Sequence, residues 1–310
     1  MKKKIAIAVD GSVHCTYAIR YTAALAKTLP GLHFVLLNIQ PSISQYLYQE
    51  AESQPQTRAA LDCLQAANQK NSLQVLEKAR GQLIQYGVAP ECVEIQTRVR
   101  IHGVAQDILD ICQAASYDAI VVARRGMGRI QEWITGSVTA NLLAQSQWTP
   151  VWMVDGEVAN NKILMASDGS PNAIRALDHL AFMLSGNPGA ELHVVQVKPR
   201  LQDILTIELD KETLDATEEA LTASTLRTID LFKERAREVV LKNGLNENQL
   251  RVRTIESRFA VAGAILDAAR EGDFGTIVVG RSSAPKSMFT GSVARKIIQK
   301  ATGSAVWWVP

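Results

Sequence analysis

The stretch Lys4-Ile5-Ala6-Ile7-Ala8-Val9-Asp10-Gly11-Ser12 recurs as Lys162-Ile163-Leu164-Met165-Ala166-Ser167-Asp168-Gly169-Ser170. In both copies a short apolar run, typical of a buried strand, ends in Asp-Gly-Ser, which is typical of a turn that opens a helix. Asp168 follows Asp10 by 158 residues, so the stretch marks the start of each half of the 310-residue chain. Self-similarity at such a period indicates two copies of one domain.

Two further blocks repeat in the same order. The segment Thr135–Val138 (Thr-Gly-Ser-Val) returns as Thr290–Val293, and the apolar segment Pro150–Val154 returns as Ala305–Val309, each 155 residues later. Three matched blocks leave little room for coincidence. The sequence therefore predicts two domains, at residues 1–156 and 159–310.

Each repeat alternates short apolar runs with helical patterns. Strands are predicted in repeat one at Ile5–Val9, Phe34–Ile39, Val93–Val99, Ala119–Val122 and Val151–Val154. Helices are predicted from Ser12 to about Leu29, from about Thr57 to Tyr86, at Val104–Ala114 and after Ser137. Alternation of this kind predicts an α/β fold: two repeated doubly wound domains, each with a five-stranded parallel sheet flanked by helices. The polar stretch Ser42–Gln56 is expected to be a flap without regular structure.

Composition restricts the class of partner. A hydrophobic fraction of 47%, a charged fraction of 21% and a net charge of +2 are typical of a soluble protein that binds neither nucleic acid nor a membrane. No apolar stretch reaches the ~20 residues of a membrane helix, and we expect a cytoplasmic protein. The cysteines Cys15, Cys63, Cys92 and Cys112 form no zinc or disulfide spacing; a redox role for Cys15, near a helix start, is the alternative.

The segment that follows the fourth strand carries the chemistry. It contains Gly126, Gly128 and the arginines Arg124, Arg125 and Arg129, and it leads to the helix opened by Gly136-Ser137. Glycines allow close approach of a ligand, and a helix N-terminus favours an anion such as phosphate. Neither a P-loop nor a complete dinucleotide fingerprint is present, because Gln131 stands where a third glycine would be needed. The pattern indicates a phosphate site at the edge of the sheet where the strands end.

These motifs resemble those of the universal stress protein family. Nucleotide-binding members carry G-x2-G-x9-G-[ST] after the fourth strand, which is matched by Gly126 and by Gly136-Ser137, with Ala123 in place of the first glycine. The family also opens with a strand that ends in Asp-Gly-Ser and closes its second strand with an apolar residue shortly before a proline. Ile39 in repeat one and Val197 in repeat two fit the latter feature.

The resemblance implies an adenine nucleotide, ATP above all, with Mg²⁺ as a companion of its phosphates. The residues that it implies in domain 1 are Asp10, Ile39, Ala123, Gly126, Gly136, Ser137 and Val138. In repeat two the loop is two residues shorter and the second glycine is replaced by Ser283, so weaker binding is expected there. The residues implied in domain 2 are Asp168, Val197, Gly280, Gly291 and Ser292.

Alternatives to a nucleotide-binding stress-response sensor stay open. A non-nucleotide interaction scaffold with vestigial sites is one. A slow ATP hydrolase, or self-phosphorylation at Ser137, is another, although no nucleophile–base pair is apparent and we expect a binding protein rather than an enzyme. No metal site is expected, because the histidines have no clustered carboxylate at ligand spacing, as judged for His14, His102 and His179.

Two expectations concern packing and assembly. His33 and His193, 160 residues apart, are matched as packing or surface residues at the start of the second strand. The tryptophans of the closing strands are expected in the core or at an interface between the domains: Trp152, Trp307 and Trp308. Family members pair these closing strands, so the resemblance implies a pseudo-dimer within the chain, with a homodimer as a further possible assembly.

Overall fold

The computed structural model describes residues 2–124, 138–198, 211–256, 260–281 and 292–310. The chain divides into two compact units. Unit 1 contains Met1–Ala26 and Gly31–Val154, and unit 2 contains Lys27–Pro30 and Asp155–Pro310. Among the helices described, none combines the length and apolar character needed to cross a membrane.

Unit 1 alternates strands and helices from its first residues onward. Its strands are β1 (Lys3–Ala8), β2 (Leu32–Gln40), β3 (Val93–Val99), β4 (Ala119–Ala123) and β5 (Val151–Asp155). Its helices are α1 (Val13–Ala26), α2 (Gln45–Ser53), α3 (Pro55–Gln85), α4 (Val104–Ala114) and α5 (Val138–Gln145).

The strands of unit 1 form a parallel sheet in the order β3-β2-β1-β4-β5. The chain moves outward from β1 to β3 and then returns to β4, so the direction of its crossovers reverses. Right-handed crossovers of opposite direction place their helices on opposite faces. In agreement, α1 packs against α3, and α4 packs against α5. The ends of β1 and β4 therefore flank the point where the strand order reverses; we call the edge formed by the strand ends the carboxyl edge.

Unit 2 repeats the arrangement. Its strands are β6 (Ile163–Ser167), β7 (Leu192–Lys198), β8 (Leu250–Glu256), β9 (Thr276–Gly280) and β10 (Ser304–Val309). Its helices are α6 (Pro171–Leu184), α7 (Lys211–Lys242), α8 (Val261–Glu271) and α9 (Ser292–Lys300). The strand order β10-β9-β6-β7-β8 is again parallel throughout. The predicted fold of two doubly wound domains with five-stranded parallel sheets is confirmed.

The burial of the strands explains why their sequences are apolar. Ile5, Ile7 and Val121 are fully buried, as expected where helices cover both faces of a sheet. The tryptophans of the closing strands are also buried, in agreement with a core position: Trp152, Trp307 and Trp308.

The stretch Ser42–Gln56, expected to be an irregular flap, is largely helical. It forms α2 and the start of α3, and Pro55 occupies the first turn of α3, where its missing N–H has no partner to lose. Only Ala51 of α2 is buried, while Tyr46 is 72% exposed. With so narrow an apolar stripe, the sequence carried little helical periodicity, and the prediction was wrong.

The register of the strands shows that the predicted match between His33 and His193 is wrong. His33 pairs with Lys4, whereas His193 pairs with Leu164, the counterpart of Ala6. His193 therefore takes the place of Val35, two residues further along the strand than His33. Its ring contacts that of Phe274, with centroids 5.1 Å apart, so the interpretation as a packing residue stands.

A buried polar network joins three strands of unit 1 to α3 at the carboxyl edge. Asn38 Nδ2 donates to the carbonyl of Val9 at 2.6 Å, and Asn38 Oδ1 accepts from Ser72 Oγ at 2.6 Å. Ser72 Oγ accepts from Thr97 Oγ1 at 2.5 Å, because its own proton goes to Asn38, and Thr97 Oγ1 in turn accepts from Gln40 Nε2 at 2.8 Å. Because each partner would be left unsatisfied in a buried site if one were removed, the network fixes α3 over the ends of β1, β2 and β3.

A close approach of the backbone favours glycine at position 280 in unit 2. A Cβ added to Gly280, at the end of β9, would lie 2.9 Å from the carbonyl oxygen of Asn172 at the start of α6. Asn172 Nδ2 in turn donates to the carbonyl of Arg281 at 2.5 Å. The counterpart of Gly280 in unit 1 is Ala123, which accommodates its methyl group. Gly280 is therefore explained by packing of the helix on the strand, without a ligand.

We predict that Gly280→Ala lowers the free energy of unfolding by about 1–3 kcal/mol, because the backbone oxygen that it meets cannot move away cheaply. Gly263→Ala is the matched control: Gly263 lies in α8 with open space around its Cα, and helix propensity should raise stability by up to ~1 kcal/mol. Urea unfolding of both variants measures the difference. Equal effects of the two substitutions would contradict the close approach.

We predict that Asn38→Ala lowers the free energy of unfolding by about 2 kcal/mol through loss of buried hydrogen bonds. A double-mutant cycle with Ser72→Ala should give a coupling energy of about 1 kcal/mol. The exposed Asn248 serves as control, and its replacement by alanine should change stability by less than about 0.5 kcal/mol. Additive effects of the Asn38 and Ser72 substitutions would rule out the network.

Candidate functional site

The carboxyl edge of unit 1 brings predicted site residues onto neighbouring strand ends. Asp10 lies two residues beyond the end of β1, Ile39 lies near the end of β2, and Ala123 ends β4. Val138 is the first residue of α5, on the same side of the sheet. The predicted residues Gly126, Gly136 and Ser137 lie outside the described residues.

The Asp-Gly-Ser turn has the same geometry in both units. Asp10 Oδ1 accepts from the backbone N–H of Ser12 at 2.9 Å, and Asp168 Oδ1 accepts from that of Ser170 at 2.9 Å. Gly11 adopts a φ of +75°, a conformation that favours glycine. Formation of this turn is sufficient to explain why the motif recurs. Contact of Asp10 with a ligand stays a prediction.

A cavity of about 360 Å³ opens beside Val138 in unit 1. The N-termini of α4 and α5 both contribute to its wall, together with the segment that joins β3 to α4. The lining residues are Arg100, Ile101, His102, Gly103, Val104, Ala105, Val138 and Asn141. Two helix N-termini and a guanidinium give this cavity a positive character.

Arg100, which lines this cavity, is held by the last residue of β2 and by Ser42 just beyond that strand. Its backbone N–H donates to the carbonyl of Gln40 at 3.1 Å, which continues the pairing of β2 with β3. Its guanidinium donates to Ser42 Oγ, at 2.8 Å from Nη2 and 3.3 Å from Nε. A cation is therefore positioned at the carboxyl edge next to Ile39 and Gln40. The sequence analysis did not identify Arg100, because it precedes α4 and lies far along the chain from the glycine-rich loop.

Asp107 fixes the backbone segment before α4 that lines the cavity. It is 3% exposed, and its carboxylate accepts from the backbone N–H groups of Ile101 at 2.8 Å, His102 at 3.0 Å and Gly103 at 3.4 Å. Burial acts to raise the pKa of this carboxyl, but the three N–H donors and the nearby His102 outweigh it, so that the pKa is lowered. Asp107 is thus a carboxylate that fixes the turn before α4.

The expectation that no histidine has clustered carboxylates is wrong for His102. Its Nδ1 lies 3.7 Å from Asp107 Oδ1 and 3.7 Å from Asp110 Oδ2. Asp107 and Asp110 are three residues apart and share one face of α4, and the turn before this helix brings His102 over them. The spacing His-x4-Asp-x2-Asp could have been noticed once Val104–Ala114 was predicted as a helix.

Unit 2 has the same strands and helix starts at its carboxyl edge, but several side chains at the matching positions differ. Asp168 follows β6, Val197 lies in β7, and Gly280 ends β9, while the backbone of Ser292 begins α9. Gly291 and the side chain of Ser292 lie outside the described residues. The register of β8, in which Glu256 takes the place of Val99, makes Ser257, Phe259 and Ala264 the counterparts of Arg100, His102 and Asp107.

The alternative of a redox role for Cys15 is not supported. Cys15 is buried in α1, and burial, followed by the charge of Asp10, raises the pKa of its thiol to about 12. Burial also raises the pKa of Cys112. A reactive thiol needs the opposite shift.

Comparison with known proteins identifies the family. The family model described as "Universal stress protein family" matches residues 1–155 and again 159–307. No curated protein shows a significant match to the chain.

Solved structures share the fold. A universal stress protein from Archaeoglobus fulgidus DSM 4304 is 17% identical, with 99% of this chain and 95% of that chain covered and a TM-score of 0.62. A functionally unknown protein from Pseudomonas aeruginosa PAO1 is 18% identical over 99% of this chain and 92% of that chain, with a TM-score of 0.54. A universal stress protein from Archaeoglobus fulgidus in complex with dAMP is 23% identical over 48% of this chain and 98% of that chain, with a TM-score of 0.32. The two matches of the family model together span nearly all of the sequence, and the chain belongs to the universal stress protein family, with two of its domains in tandem.

Proposed function

We propose that unit 1 binds an adenine nucleotide at its carboxyl edge, with the phosphates in the cavity beside Val138. One observation carries the proposal: two helix N-termini and the Arg100 guanidinium surround the same cavity of about 360 Å³. An arginine and a pair of helix N-termini are the groups that bind phosphate most readily in proteins.

The N-terminus of α4 is suited to an external acceptor. Its N-cap residue is Gly103, which has no side chain to cap the helix, and no side-chain hydrogen bond is formed there. The N–H groups of the first turn of a helix have no partner within the helix. Asp107 satisfies the N–H groups of Ile101, His102 and Gly103, which precede the helix, and so leaves the first turn to a ligand.

The base and ribose are assigned to the neighbouring strand ends. Ile39 is partly exposed and offers an apolar contact for a purine ring, and Asp10 offers a carboxylate beside it. The glycine-rich segment with Gly126, Gly136 and Ser137 follows β4 in sequence, and these residues are proposed to hold the ribose and phosphates. Mg²⁺ is the proposed companion of the phosphates.

Unit 2 is proposed to bind nucleotide weakly at most. Ser257 replaces the cation Arg100, and the loop between Gly280 and Gly291 is two residues shorter than in unit 1. Gly280, the strongest match to the family's motif there, already has a packing role against Asn172.

Family membership supports a role in the response to stress, and we propose that the tandem protein acts in the cytoplasm as a sensor or regulator that responds to adenine nucleotide. The dAMP in the Archaeoglobus fulgidus complex belongs to that protein. The proposal that unit 1 binds an adenine nucleotide rests on the residues of this chain and not on that complex.

We predict that Arg100→Gln weakens ATP binding by about 10–100-fold, because a charge-assisted hydrogen bond to phosphate is worth about 1.5–3 kcal/mol. Isothermal titration calorimetry with MgATP measures the affinity. Arg270→Gln is the matched control: Arg270 is 77% exposed at the end of α8 and pairs with Asp267. An Arg100 variant that folds normally and binds ATP with unchanged affinity would refute the placement of the phosphates.

We predict a stoichiometry of one nucleotide per chain, since Ser257 stands in the sequence of unit 2 where unit 1 has Arg100. Native mass spectrometry of the full chain with ATP counts the bound molecules directly. Ser257→Arg, which restores the cation of unit 1 at the matching position, tests whether unit 2 gains affinity. Two molecules bound with equal affinity to the unaltered chain would show that Arg100 does not decide which unit binds.

A further inference from the structure

A cluster of three potential metal ligands lies at the start of α4. It consists of His102, Asp107 and Asp110, each of which has a ligand atom within 4.8 Å of those of the other two. His102 is exposed, Asp110 is 43% exposed and Asp107 is buried, so the cluster has a fixed base and an open side toward solvent.

The distances are those of ligands around an ion rather than of direct hydrogen bonds. The imidazole nitrogen is 3.7 Å from each of the two carboxylate oxygens, beyond the usual limit for an N–H···O bond. Ligand atoms around a tetrahedral Zn²⁺ at normal bond lengths are roughly 3.3–3.4 Å apart. Small rotations of the exposed His102 and half-exposed Asp110 side chains would therefore place a cation within bonding distance of all three residues.

Hydrogen bonds already orient both carboxylates. Asp107 Oδ2 accepts from Ile101 and Gly103, and Asp107 Oδ1 accepts from the backbone N–H of His102. Gln106 Nε2 donates to Asp110 Oδ1 at 2.6 Å, which turns the other oxygen of Asp110 toward the imidazole. Such outer contacts are the usual means by which metal ligands are held in place.

We propose that His102, Asp107 and Asp110 bind a divalent transition-metal ion, with Zn²⁺ as the best fit, and that water completes its coordination. The imidazole favours Zn²⁺ over Mg²⁺ and Ca²⁺, which prefer oxygen ligands alone. Two carboxylates and a neutral imidazole balance the charge of a dication. The site adjoins the proposed phosphate cavity through His102 but requires no nucleotide.

Unit 2 provides an internal control. Its counterparts of His102 and Asp107 are Phe259 and Ala264, so two of the three ligands are missing from its sequence. The third counterpart, Asp267, pairs with Arg270 at 2.9 Å instead. The proposal therefore expects one such metal ion per chain.

The test is equilibrium titration of the full, chelator-treated chain with Zn²⁺ in the absence of nucleotide, compared with His102→Phe, which copies unit 2 at an exposed position. Loss of an outer contact alone costs about 10–100-fold in affinity, so loss of this ligand should cost at least about 100-fold. His193→Phe, which removes a histidine paired with Glu191 on β7, should leave the affinity unchanged.

Co²⁺ in place of Zn²⁺ identifies the ligand type, because Cys63 is exposed and could compete. We expect a spectrum of nitrogen and oxygen ligands without the charge-transfer band of a cobalt–thiolate bond, and we expect Asp110→Asn to reduce its intensity. Three results would each overturn the proposal: no Zn²⁺ bound by the unaltered chain, equal binding by His102→Phe, or a thiolate band. Failure to bind ATP would leave this result untouched, because the titration contains none.

Discussion

The common direction of the strands is the constraint on which the rest of each unit depends. Parallel strands end at one edge of the sheet, and the helices that follow them begin there, so the edge collects unpaired N–H groups. Because the strand order reverses between β1 and β4, the following helices divide between the two faces. The cavity beside Val138 and the cluster around His102 both lie at this edge because α4 and α5 begin there.

The two units show how one frame carries different chemistry. Both keep the Asp-Gly-Ser turn with the same 2.9 Å hydrogen bond, and both place an amide side chain, Asn38 or Gln196, at the matching position of the second strand. These features hold strand, turn and helix together. Arg100 and His102 lie in the segment between β3 and α4, outside the features that the two units share. Their counterparts in the sequence of unit 2 are Ser257 and Phe259, and the order of the strands is the same in both units.

Residues with local periodic signals were predictable from the sequence. The repeat of the Asp-Gly-Ser block set the number of domains, and the apolar runs located the strands to within a residue or two, as for Val93–Val99. Features that depend on register were not predictable. The match of His33 with His193 failed because β7 aligns two residues away from it, and Arg100 reaches the carboxyl edge only through the pairing of β2 with β3. The carboxylates of α4 form a cluster with a histidine only through the turn that brings His102 above them.

Asp107 links the stability of the edge to its chemistry. Its buried carboxylate holds the three N–H groups before α4, and without it this turn would lose the conformation that lines the cavity. The same carboxylate turns Oδ1 toward His102. Because Asp107 both accepts from the three N–H groups and faces His102, few other side chains can replace it. Even asparagine, which has the same shape, would replace one acceptor oxygen by a donor. In unit 2, Ala264 occupies this place, and α8 begins after Ala260 without such a carboxylate, so a helix can begin at the matching position without it. The start of the helix therefore does not by itself require the charge that unit 1 buries there, which agrees with the metal-binding role proposed for Asp107.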